Sequence, residues 1–445
     1  MTINLLSVAS EIVDLALRAG ATSADAITVS SRSEEVTLRQ GAIENIERSE
    51  SQDIGLRVFV GQSAGLVGGS VLSRDGLQRL VDRAIAMARL APPDPYAGLA
   101  EPQQLATSFP SLDLVCESTL SSQELEKLAR RAEDAAFAVP GVTKSNGASA
   151  GGSWRDMAVA ASNGFQRQAQ RTSFGISASV VAGEGTAMER DGEGHGAIHF
   201  EDLDSPEVIG NTAGQRAVAR LNPRKLTSRT APILFDRRIS TSLIGHLLGG
   251  INGSAISRGT SFLKGDLGKT LFKPEVTIVD DPLRKRGLAS RSADGEGLPS
   301  RRMNLIDKGT LTSWILDLRS ARQLGLSPTG HGARGLTSPP SPATSNVHME
   351  PGQRSPADIL KDFGTGLLVT EFIGSSINMV TGDYSRGCSG FWIEDGAIAY
   401  PVSEVTIAGN LRTMFAALEP ANDLIFRGAI NAPSCFLGEM TIAGR

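Results

Sequence analysis

The side chains in this sequence best suited to chemistry are five histidines and three cysteines, and their spacing limits what each could do. His195 and His199, in DGEGHGAIHF, stand four apart, the separation at which a helix aims two imidazoles at one metal. Gly192, Gly194 and Gly196 argue against a helix there. In a strand, residues four apart lie about 13 Å from each other at roughly 3.3 Å per residue, so a solvated loop or strand without metal is expected. Cys388, in GDYSRGCSGF, has the side chain of a nucleophile. A thiol hydrolase also needs a base and an oxyanion hole, and nothing in the spacing brings His331 or His348 to it. Asp294 and Glu296 alternate with glycine, a pattern that reads as a turn before it reads as a paired acid and base. Cys116, Cys388 and Cys435 show no C-x-x-C spacing, which indicates neither a disulfide framework nor a zinc knuckle and fits a reducing cytosol.

The elements that would position these groups begin with the stretch from Asp236 to Ser261. Asp236 is a fitting N-cap, and Ile239, Leu243, Ile244, Leu247 and Leu248 form one apolar stripe at helical spacing that Gly249 and Gly250 close. His246 reads as an ordinary helix-end histidine, favoured by the C-terminal dipole. Beyond this helix, VTIVDD at 276–281, NLIDKGTLTSWILD at 304–317 and FWIEDGAIAYPV at 391–402 read as strands or hairpins, the last two with Lys-Gly and Asp-Gly turns.

In the first half, Leu5, Val8, Ile12, Leu15 and Ala19 define a helix ended by Gly20. Glu11 and Asp14 interrupt its apolar run, so a soluble amphipathic helix is expected there and not a signal peptide. The period changes to two through Ile54, Leu56, Val58 and Val60, and a second helix runs from about Leu77 to Leu90. The order then repeats. Ser121 and Glu124 make a capping box, Asn163-Gly164 a hairpin turn, and Ser205-Pro206 opens another helix. The expected class is α+β: an N-terminal region, 1–222, of helix-flanked antiparallel or mixed sheets, built as two duplicated modules at 1–98 and 105–222, followed by a strand-rich C-terminal domain at 230–445.

Composition removes several functions. The chain has 445 residues, 40% hydrophobic and 21% charged, with 49 glycines and a net charge of −4. Its longest basic cluster is Arg284-Lys285-Arg286, too short for a nucleic-acid surface. No apolar run approaches the roughly 18 residues of a membrane span.

Several short motifs occur in a telling order: Arg258-Gly259-Thr260-Ser261, Asp294-Gly295-Glu296-Gly297, Pro328-Thr329-Gly330-His331-Gly332, Ser345-Asn346 followed by Pro351-Gly352, and Thr381-Gly382-Asp383-Tyr384. Together they resemble the landmarks of the TldD/PmbA family, cytosolic zinc peptidase subunits once named as modulators of DNA gyrase. The resemblance covers 230–445 well and the first half only in its general pattern. The family's catalytic branch carries H-E-x-x-x-H on the helix before R-G-T-S. Counting back from Arg258 places Ile244, Gly245 and Gly249 at those three positions, and none of them offers a metal a lone pair. His246 lies two residues past the first position, about 200° around an ideal helix.

The resemblance is thus to the PmbA or TldE branch. It implies a non-catalytic subunit with no cofactor of its own, a TldD-type partner that supplies zinc, and unfolded or extended peptides as substrates. Cytoplasmic location and a homodimer of the isolated chain go with it, and neither nucleic acid nor membrane is implied as a partner. Candidate contacts to peptide or partner are Arg258, Thr260, His331, Arg334, Asn346 and Tyr384. The loop from Leu324 to His348, far longer than the usual 4 to 6 residues, is the expected interface, with Leu336 and Val347 as its apolar contacts. A stand-alone hydrolase using other His or Cys residues, or a peptide-binding module without activity, stays open at this stage.

Overall fold

The first half of the chain lays all its long helices on one face of a single sheet. The computed structural model describes residues 4–444. Helix α1 (Leu5–Arg18), capped by Asn4, leads into strands β1 (Ser23–Arg39), β2 (Ala42–Val60) and β3 (Ser63–Gly69), and helix α2 (Arg74–Leu90) follows. The second run has the same order: α3 (Ser122–Phe137), β4 (Val142–Ala161), β5 (Gln166–Ala182), β6 (Glu189–Ala197) and α4 (Pro206–Ala219). The antiparallel pairing of β1 with β4 joins the two runs into one six-stranded sheet, β3-β2-β1-β4-β5-β6.

The alternation of β1 explains why both helix pairs share a face. Ala24 and Ala26 pack under α1 and α2, and Val36 and Leu38 pack under α3 and α4, so even-numbered residues point inward along the whole strand. The Ser121 and Glu124 box caps α3. Inside α3, the Glu133 carboxylate accepts hydrogen bonds from the backbone N–H groups of Gln40 and Gly41, each 2.8 Å, and so ties the β1–β2 turn to the helix layer.

The C-terminal half is strand-rich, and the whole molecule is α+β. Strand β7 (Arg229–Phe235) leads to helices α5 (Arg237–Gly250) and α6 (Gly253–Arg258), then β8 (Ile278–Asp280), β9 (Met303–Asp307), β10 (Thr310–Leu311) and α7 (Leu318–Leu324). Short strands β11 (Gly332–Ala333), β12 (Ser341–Pro342) and β13 (Val347–Met349) precede α8 (Pro356–Phe363) and the long strands β14 (Gly366–Ile377), β15 (Asp383–Glu394) and β16 (Ala397–Asn410). Helix α9 (Leu411–Ala417) and strands β17 (Glu419–Pro420), β18 (Ile430–Asn431) and β19 (Cys435–Ala443) complete the chain. One sheet is β10-β9-β8-β13-β18; in the other, β16-β15-β14-β7-β19-β17, an extra β16–β19 pairing closes five strands into a ring.

The segment from Leu324 to His348 is not a free surface loop. It carries β11, β12 and the start of β13, and its middle lies on the helix-free face of the N-terminal sheet. A methyl group on Gly55 of β2 would land on the Leu336 carbonyl, and one on Gly68 of β3 would meet the Thr337 side chain. Val347, expected to contact a partner, is fully buried in the C-terminal core. The seam is also polar: Arg171 of β5 donates to the Leu288 carbonyl at 2.6 Å, and Arg322 of α7 donates to the Leu99 carbonyl at 2.6 Å.

Candidate functional site

Helix α5 carries the positions at which a metal site would be sought. Asp236 caps it, accepting from the Arg238 backbone N–H at 2.9 Å, and Leu243, Ile244, Leu247 and Leu248 enter the main core. Ile244 is fully buried. Gly245 and Gly249 are exposed: a methyl group on Gly245 would meet open space, and one on Gly249 would lie 3.2 Å from Met379 Cε. The three positions therefore present an aliphatic side chain directed into the core and two bare stretches of backbone. They do not fit a zinc ion, which takes imidazole, carboxylate or thiolate donors.

His246 does not compensate. Its ring meets Tyr384 edge to face at 5.9 Å, and its Nε2 has no hydrogen-bond partner among the described residues. Burial, reinforced by the Arg386 guanidinium, lowers its pKa to about 4, the opposite of what a helix C-terminus does to an imidazole. Tyr384 is buried, and its hydroxyl also lacks a partner among the described residues. Beside these groups an open groove of about 470 Å³ is lined by Thr241 and Ser242 of α5, Phe372 of β14, Arg386 of β15 and Ile430 of β18.

The R-G-T-S motif has a structural job. Arg258 ends α6, Gly259 adopts φ +74° as its left-handed cap, and the Ser261 hydroxyl donates to the Gly250 carbonyl at 2.5 Å, fastening α6 back onto α5. Arg258 and Thr260 are exposed and free to meet another molecule. The other four expected contacts are not. His331 is 2% exposed; its Nε2 donates to Asp280 at 2.8 Å and its Nδ1 meets the Thr329 hydroxyl at 2.8 Å. Burial works to raise the Asp280 carboxyl, and hydrogen bonds from His331 and Ser345 outweigh it and hold the group below the usual range. Asn346 donates to the Asp281 carbonyl and the Ser290 hydroxyl, both 2.8 Å, and braces the 281–290 turn. Tyr384 packs inward from β15.

Arg334 departs furthest from its expected role. Its side chain is 1% exposed, and its Nε donates to Asp25 of β1 at 2.8 Å. Asp25 is also held by Arg57, its direct cross-strand neighbour on β2, at 2.9 Å. Burial works to raise the Asp25 carboxyl, and the two guanidinium groups hold it below its ordinary value. Asp25 and Arg57 face each other between the apolar neighbours Ala24, Ala26, Leu56 and Val58, a pairing that the strand register reveals and sequence spacing does not.

The remaining candidates are also internal. The Cys388 thiol is buried and its pKa is pushed up to about 12, so it is not a thiolate at neutral pH. His195 and His199 are not solvated: Asp204 N–H donates to His195 Nδ1 at 3.1 Å, and His199 lies between Asp113 and Glu201. Asp294 and Glu296 do form the expected turn, with Asp294 Oδ1 accepting from the Glu296 and Leu298 N–H groups, but the Glu296 carboxyl is turned inward.

Three sequence profiles match the chain in consecutive segments. PmbA/TldA metallopeptidase domain 1 matches residues 24–88, the central domain 117–221 and the C-terminal domain 228–444. The "Metalloprotease PmbA" of Escherichia coli O157:H7 is 38% identical over 412 residues, covering 92% of this chain and 90% of the relative. The chain belongs to the PmbA/TldD metallopeptidase family. A PmbA homologue from Haemophilus influenzae is 35% identical over 97% of this chain and 94% of its own, whereas a TldD homologue of the same organism is 25% identical over 85% of this chain and 81% of its own. A solved structure from Bacteroides thetaiotaomicron, described as a DNA gyrase modulator, superposes with a TM-score of 0.91 at 26% identity, covering 99% of this chain and 98% of that one. TldE from Thermococcus kodakarensis shares the fold, with a TM-score of 0.88 at 21% identity over 98% of this chain and all of its own.

Proposed function

We propose that this PmbA-like chain is the non-catalytic subunit of a TldD/TldE-type zinc metallopeptidase that acts in the cytoplasm on unfolded or extended peptides. The observation that carries the reading is the chemistry of α5: Ile244, Gly245 and Gly249 offer no donor atom at the positions where the resemblance to the family's catalytic branch would put two metal ligands and a general base. In this reading a TldD-type partner supplies the zinc and the base. This chain completes the enclosure around the substrate, with Arg258 and Thr260 facing the partner or the peptide. Three buried free thiols are in keeping with a reducing compartment, and among the described residues no helix is long and apolar enough to cross a membrane.

Peptide recognition through backbone has support in the N-terminal sheet. Strand β3 covers only Ile54–Val60 of β2, and residues 42–53 have no strand on that side among the described residues. The comparable stretch of β5 is covered by an extended segment of the chain itself, with Thr172 N–H donating to the Leu114 carbonyl at 2.9 Å. An edge of this kind accepts an added strand with little regard to sequence.

Peptidase assays on this chain, on a TldD-type partner and on their mixture test the proposal. Activity is expected only in the mixture, unaltered by His246→Ala or Cys388→Ala. Hydrolysis by this chain alone overturns the reading.

A further inference from the structure

Sequence spacing pairs His199 with His195, but the fold pairs it with Cys116. One threonine makes the arrangement: the Thr172 hydroxyl accepts from Cys116 N–H at 2.9 Å and donates to the Ile198 carbonyl at 2.8 Å. It thereby fixes the linker cysteine and the segment after β6 against the same point of β5. Cys116 and His199 are both buried, and Glu201 stands beside them on the surface. Cys116 Sγ, a His199 ring nitrogen and a Glu201 carboxylate oxygen all lie within 4.8 Å of one another.

The tautomer of His199 is set by its other neighbour. Nε2 lies 3.2 Å from the Asp113 carbonyl oxygen and 3.1 Å from Asp113 Oδ1. Both are acceptors, so Nε2 carries the proton and donates. Nδ1 then faces Glu201 Oε1 at 3.2 Å. Two lone pairs at that distance repel unless a proton or a metal ion lies between them. A histidine that donates one nitrogen to a carboxylate or carbonyl and holds the other against a second carboxylate, with a thiol close to the ring, has the layout of a metal ligand with its outer-shell support.

We propose that Cys116, His199 and Glu201 form a Zn²⁺ site, with Asp113 orienting the imidazole and a fourth position open to water. Thiolate and imidazole together select zinc over magnesium or calcium. Glu201 already stands 3.2 Å from His199 and 3.8 Å from Cys116, so zinc bonds of about 2.0–2.3 Å require chiefly that the Cys116 thiol and the imidazole draw together, by up to about 1 Å. On binding, the Cys116 thiol gives its proton to solvent. A competitor for these carboxylates is already in place: Arg286, from the C-terminal half, pairs with Asp113 at 2.6 Å, Glu201 at 3.3 Å and Asp202 at 3.0 Å. Zinc must displace that guanidinium from Glu201, which would couple metal binding to the contact between the two halves. The site lies outside α5 and does not depend on the subunit role proposed above.

The test is titration of the chelator-stripped full chain with Zn²⁺ alone, and separately with Co²⁺ alone, at pH 7.5. One equivalent of zinc is expected, with a thiolate-to-cobalt charge-transfer band for Co²⁺. C116S and H199Q should each weaken binding by about 100-fold or more, C116S should abolish the band, and D113N should weaken binding by about 10- to 100-fold. Circular dichroism checks folding; if C116S fails to fold, H199Q and D113N carry the test. Absence of binding by the native chain, a cobalt spectrum without the thiolate band, or unchanged affinity in H199Q overturns the proposal and leaves an Arg286 clamp only.

Discussion

Glu296 shows how one buried side chain can set the pH response of this fold. Its carboxyl lies behind the Asp294 turn, with Oε2 accepting from the Leu318 N–H at 2.8 Å. Burial, and then the like charge of Asp294, push its pKa up to about 8. The sign of the effect follows from proton counts. Below about 4.5 the group is protonated whether the chain is folded or not. Between about 4.5 and 8 the folded chain holds a proton that the unfolded chain has released, so stability falls as pH rises, and above 8 the loss is complete. Glu296→Gln keeps an acceptor for Leu318 and removes the titration. Melting curves should therefore show the native chain losing on the order of 2 kcal/mol relative to the variant between pH 5 and pH 7. Parallel curves would mean that Glu296 is ionised in the fold at neutral pH.

Among elements, the contact between the 324–348 segment and the N-terminal sheet decides whether the two halves act as one body. It depends on a missing side chain, since only glycine at position 55 lets the Leu336 carbonyl approach β2 so closely. Gly55→Ala is expected to cost about 1–3 kcal/mol and to open the segment to proteolysis near Leu336. Gly175→Ala, whose methyl group would meet only the His195 carbonyl at 3.8 Å, should be close to neutral in the same assay. If both variants resist protease as the native chain does, the seam is not what holds the segment down. The elements themselves were legible because their signals are local: the Ser121 and Glu124 box caps α3, and Lys308-Gly309 and Asp395-Gly396 turn with positive φ at both residues. What covers a face is not local. Nothing near Gly55, Arg334 or His331 in sequence says that a proline- and glycine-rich stretch lies on a distant strand, so residues that look like surface contacts proved to be interior. Ile244, Gly245 and Gly249 differ in kind: that their side chains carry no donor atom is plain from the sequence, and what the fold adds is only that Ile244 is buried and the two glycines are exposed.

At the scale of the whole molecule, the N-terminal sheet is half covered and half open, and its open edge has features that keep it from pairing with itself. Residues 42–50 of β2 are all exposed, and Glu44, Glu47, Glu50 and Asp53 outnumber Arg48 along the free stretch. Charges spaced along an edge oppose its pairing with a second copy of the same acidic strand, and so blunt aggregation. They do not oppose a basic peptide, whose side chains would sit opposite the acids at cross-strand distance. Hydrogen exchange on the full chain, with and without an added extended peptide, can separate the two cases. Alternate amides of 42–53 should exchange freely without peptide and gain protection with it, while those of 54–60, already paired with β3, should change little. Lysine-containing peptides should protect the edge at lower concentration than glutamate-containing ones, and the difference should shrink as salt is raised. If a saturating peptide leaves the exchange of 42–53 untouched, this edge does not receive an extended peptide, and the groove beside α5 becomes the next surface of this chain to test.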